Sequence, residues 1–64
     1  MNNDVVNNNG DSIKEWLLLV YKEVKEIKHI GNFVFEAVTN LGTIKIQTIP
    51  MNEDQTKIKI IKVV

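Results

Sequence analysis

The longest periodic pattern of apolar and polar positions occupies residues 12–28, SIKEWLLLVYKEVKEIK. At about 100° per residue, Ile13, Leu17, Val20, Val24 and Ile27 fall on one stripe, flanked by Trp16 and Tyr21. Lys14, Glu15, Lys22, Lys25 and Glu26 fall on the opposite arc. The spacing predicts an amphipathic helix over 12–28. Ser12 and Glu15 stand in the S-x-x-E order of a capping box, in which hydroxyl and carboxylate each accept from the other residue's backbone N–H. Asp11 and Glu15 suit the positive end of the helix dipole, Lys28 and His29 the negative end, and Gly31 a left-handed cap. Leu18 and Leu19 fall off the stripe, beside Trp16. They are either lone exposed leucines or part of a second contact surface.

From Phe33 the period changes to two. Residues 33–38 (FVFEAV), 43–49 (TIKIQTI) and 56–63 (TKIKIIKV) predict three strands. Thr39, Asn40, Leu41 and Gly42 form a turn signal, and 50–55 (PMNEDQ) a loop. An even-numbered first loop, taken as the four residues 39–42 with Gly42 left-handed, places Phe33, Phe35 and Ala37 on one face with Ile44, Ile46 and Thr48. A three-residue loop would mix apolar and charged positions on both faces. The helix is expected to cover Phe33, Phe35, Ala37, Ile44, Ile46, Ile58 and Ile60. The other face then shows Val34, Glu36, Val38, Lys45, Gln47, Ile49, Lys57 and Lys59. At Ile60 and Ile61 the alternation breaks, by a bulge or by burial of both faces at that end.

The expected fold class is α+β, one N-terminal helix packed on a three-stranded antiparallel meander, α-β-β-β. Residues 1–10, half of them asparagine, are expected to be a disordered leader, or an arm that orders on a partner through Val5 and Val6. Residues 11–64 form the domain. The third strand is then an edge, guarded by its lysines or used for pairing between two copies.

Sixty-four residues without cysteine make a marginal core with no disulfide and no thiolate metal site. Good packing and oligomerisation are the remaining ways to stiffen it, so a homodimer is expected, through the helix or through the sheet edge. Eight lysines balance eight acidic residues, and there is no arginine. That composition speaks against a general polyanion binder and against bidentate readout of guanine.

Catalytic groups are scarce. Ser12 is absorbed by the cap, and His29 has only Glu26 nearby in sequence. Glu53 and Asp54 sit in a turn without calcium-loop spacing, and Gly10, Gly31 and Gly42 are scattered. An enzyme, a cofactor and a metal are not expected. The longest apolar run, residues 16–21, is short of the roughly 20 residues a membrane span needs, and the N-terminus has no signal-peptide pattern. The expected location is the cytoplasm. Richness in Asn, Lys and Ile is associated with AT-rich coding, which suits a phage, viral or mobile-element accessory protein in a host cytoplasm.

Two function classes follow. The first is a protein-binding module that occludes or bridges a host protein through Trp16, Leu18, Leu19, Val34, Val38, Ile61 and Val63. The second is a nucleic-acid-binding regulator that uses Lys45, Lys57, Lys59 and Lys62 on the exposed sheet face.

Overall fold

A computed structural model describes residues 4–64. The elements are β1 (Val5–Asn7), α1 (Gly10–Leu17), β2 (Val24–Gly31), β3 (Val34–Thr39), β4 (Gly42–Pro50) and β5 (Lys57–Val63). The five strands form one antiparallel sheet in the order β1-β5-β4-β3-β2. It curls into a half-barrel, and α1 packs on both of its end strands, β1 and β2. The expected three-stranded meander under one long helix is therefore overturned.

The helix is eight residues long and starts earlier than the pattern suggested. Asn9, extended at φ −154° and ψ 163°, is the N-cap, and its Oδ1 accepts from the Ser12 N–H at 2.8 Å. Ser12 is thus the donor at the third helical position, not the cap. Asp11 remains in the first turn. After Leu17 the chain tightens, with the Val20 and Tyr21 N–H groups both donating to the Leu17 carbonyl at 2.9 and 2.8 Å. Val20, expected in the stripe, is 73% exposed.

The second half of the expected helix is β2. Val24 pairs with Thr39 and Ile27 with Ala37, while the register slips by one residue at Lys25. The slip lets two residues three apart share the inner face of a strand, the same spacing that marks a helical stripe. Pairing with β3 also gives the backbone of 24–31 a sheet partner, and the β-branched residues Val24, Ile27 and Ile30 suit it. Gly31 ends β2 before a two-residue turn, Asn32 and Phe33, and does not cap a helix. Phe33 sits at φ 59°, unusual for a bulky side chain. It is held by packing against the core and by its carbonyl, which accepts from the Thr48 N–H at 2.9 Å and from Thr48 Oγ1 at 2.7 Å.

The β3–β4 hairpin has the even register: Phe35 opposes Ile46, Ala37 opposes Ile44, and Thr39 opposes Gly42. Its loop is the two residues Asn40 and Leu41. Gly42 lies at φ 115° with no atom within 4 Å of where a Cβ would be, so its requirement is conformational and not steric. In β5 the register slips by one residue at Ile61, the bulge that the Ile60–Ile61 break allowed for. β4 runs on to Pro50, which opposes Ile58, so the 50–55 loop starts one residue later than expected.

Part of the expected leader is built into the fold. Val5, Val6 and Asn7 pair with Lys59, Ile58 and Lys57, so β5 is internal and not an edge along these residues. Residues 1–3, also assigned to the leader, lie outside the described residues. The core gathers Ile13 and Leu17 of α1, Val24 of β2, Phe35 and Ala37 of β3, Ile46 of β4, and Ile58 and Ile60 of β5. Two buried threonines are satisfied locally: Thr48 as above, and Thr39, whose Oγ1 donates to the Gly42 carbonyl at 2.8 Å and accepts from the Leu41 N–H at 3.0 Å.

Candidate functional sites

The sequence candidates separate into three places. The first is a shallow cleft of about 450 Å³ between α1 and the β1–β5 edge. It is lined by Trp16 and Leu19, by Val5, Val6 and Asn7 of β1, and by Ser12, Glu15 and Lys57. Trp16 is half-buried against the core, while Leu19 is 75% and Val5 47% exposed. Leu18 is also exposed but does not line the cleft. The leader's two valines are thus brought beside the helix tryptophan by β1 pairing with β5. The sequence offers them as the anchor of an arm that orders on a partner; here they pair within the chain's own sheet.

The second place is the convex outer sheet face. Val34 opposes Gln47, and Val38 lies between Glu26 and Thr43; both are half-buried. Ile61 stands exposed at its bulge. Val63 is not on this face: the bulge at Ile61 turns it inward, opposite Ile46 and half-buried against the core.

The four candidate lysines share that outer face. Lys45 opposes Glu36, Lys57 opposes Asn7, Lys59 lies between Val5 and Ile49, and Lys62 opposes Gln47. Lys28 joins them opposite Glu36, a position that a helical stripe over 12–28 does not place on the sheet. Among the positions paired in register on this face stand five lysines and two glutamates, Glu26 and Glu36, a net of +3 (5 − 2) on a chain whose charges balance overall. No aromatic ring is among them. Phe35 points inward, and His29 stacks on it from β2 with ring centroids 4.5 Å apart and planes at 9°.

The third place holds the residues weighed for chemistry, and it breaks apart. Glu26 opposes Val38 on the outer face, whereas His29 stacks on Phe35 toward the inner one, so they form no dyad. Asp54 is engaged within its own turn, where its Oδ1 accepts from Thr56 Oγ1 at 2.9 Å. Among the described residues no group of three or more His, Asp or Glu is placed to hold a metal ion. Among them, too, no helix is long and apolar enough to cross a membrane.

No family model, curated protein or solved structure matches this chain.

Proposed function

We propose that the chain is a small non-catalytic protein-interaction module, homodimeric, that docks a partner protein at the cleft beside Trp16. The observation that carries this reading is the convergence of Trp16 and Leu19 with Val5 and Val6 from a separate strand. An aromatic side chain with apolar neighbours in a shallow cleft shared with the polar groups of Asn7, Ser12, Glu15 and Lys57 is compatible with an interface hot spot, where Trp is enriched. Its working place is the cytoplasm, a host's cytoplasm in the case of a phage, viral or mobile-element accessory protein that binds or inhibits a host protein.

A second reading is supported by one observation, the alignment of Lys28, Lys45, Lys57, Lys59 and Lys62 on one face. It makes the chain a regulator that grips nucleic-acid phosphates. The absence of stacking rings among these residues weakens it, since binding of single strands relies on aromatic platforms.

Salt and substitution separate the two. Partner capture by the cleft is expected to persist at high salt, to be lost with Leu19→Asp or Trp16→Ala, and to survive the Lys57→Glu/Lys59→Glu double variant. Unchanged capture by folded Leu19→Asp and Trp16→Ala proteins overturns the cleft reading. Binding that falls steeply with salt, through counterion release, and vanishes with the lysine reversals favours the second.

A further inference from the structure

β2 is the end strand of the sheet, and among the described residues none of its backbone groups bonds to any element but β3. Register slips at Lys25 and Ile30 bracket a regular stretch, residues 26–29, that pairs one for one with Val38, Ala37, Glu36 and Phe35. Along its outer face runs a row of alternating charge, Lys45 on β4, Glu36 on β3 and Lys28 on β2. The row ends at the open edge on a cation.

We propose that two copies of this chain pair antiparallel through β2 about a two-fold axis at Ile27, joining two five-stranded sheets into one of ten strands. Residues opposed across an antiparallel ladder must both point their backbone groups toward the partner or both away. Within a regular stretch a two-fold pairing is therefore centred on a residue. Centring on Glu26 sets Glu26 against Glu26 of the second copy, and centring on Lys28 sets lysine against lysine. Both juxtapositions are unfavourable. Centring on His29 brings Lys28 against the second copy's Ile30, where the strand is irregular.

Centring on Ile27 alone is self-complementary. Lys28 meets the second copy's Glu26 and Glu26 meets its Lys28. The charge row then continues as Lys45, Glu36, Lys28 and the second copy's Glu26. On the inner face Ile27 is half-buried, beside Gly10 at the start of its own α1, and the pairing sets the two copies' Ile27 opposite each other next to that contact. The surface is separate from the cleft. The pairing rests on the homodimeric part of the reading above and not on docking beside Trp16. A monomer would therefore overturn both, whereas single variants that dimerise like wild type would overturn only the β2 pairing.

The test is a charge swap read by light scattering or sedimentation over a concentration series. The wild-type chain is expected to be a dimer. Lys28→Glu and Glu26→Lys are each expected to raise the dimer dissociation constant at least tenfold, because each opposes like charges twice. The double variant E26K/K28E is expected to regain dimerisation, and an equimolar mixture of the two single variants to form a mixed dimer. Intramolecular damage cannot mimic that rescue, because in the double variant the new carboxylate at position 28 still faces Glu36. Circular dichroism is the check that each variant is folded, and Leu19→Asp is expected to leave the dimer unchanged. A wild-type monomer throughout the series overturns the proposal. So do single variants that dimerise as well as wild type, or a folded double variant and a mixture that both stay monomeric.

Discussion

α1 and β2 both carry the three-to-four-residue apolar spacing of a helical stripe and bury it in different ways. In α1, Ile13 and Leu17 are four apart, and one helical face drives both to 0% exposure between β1 and β2. In β2, Val24 and Ile27 are three apart and reach the inner face because Lys25 is an extra residue in the ladder. Between them Leu18, Leu19 and Val20 lie exposed in a turn. Spacing shows which residues want burial. It does not show whether a helix or a bulged strand delivers them.

The contrast can be broken by substitution, most heavily at Leu17. It is fully buried at the end of α1, and Leu17→Ala is expected to lower unfolding free energy by about 2–5 kcal/mol in urea melts. A loss below about 1 kcal/mol would mean that α1 does not bury Leu17 against the end strands. The start of the helix gives a smaller and more pointed test. Asn9→Ala should cost about 1 kcal/mol, as removal of an N-cap side chain does, while Ser12→Ala should stay within about 0.5 kcal/mol. The opposite order would restore the capping box. The smallest effect is expected at Val20, where replacement by Ala should fall within about 0.5 kcal/mol, because the side chain is already 73% exposed. A core-sized penalty there would mean that the helix continues past Leu17.

The β3–β4 hairpin was legible because its cues agree. Alternation, the Asn40–Gly42 turn and the gain from one apolar face all specify the same register, and Phe35 and Ala37 meet Ile46 and Ile44. The bulge at Ile61 was legible as a phase break, though not its consequence, which turns Val63 inward. β1 was not legible. Asn-rich flanks and three strand residues hold too little local information, and Val6 is half-buried only because Ile58 lies opposite it. Of the candidate sites, the lysine face was visible as alternation within β4 and β5. The cleft was half visible, since Trp16 and Leu19 stand near each other in sequence while Val5 and Val6 arrive through a pairing more than fifty residues distant.

By itself the sequence determined most of the residues that must be buried, the even hairpin register and a composition without cysteine or arginine, because periodicity, turn chemistry and composition are local properties. The tertiary structure decided that residues 24–31 are a strand, that β5 lies inside the sheet, and that Lys28 and the two N-terminal valines join the candidate surfaces. Those outcomes depend on which backbone groups find partners across the sheet, and a strand's hydrogen bonds, unlike a helix's, are all made to residues elsewhere in the chain.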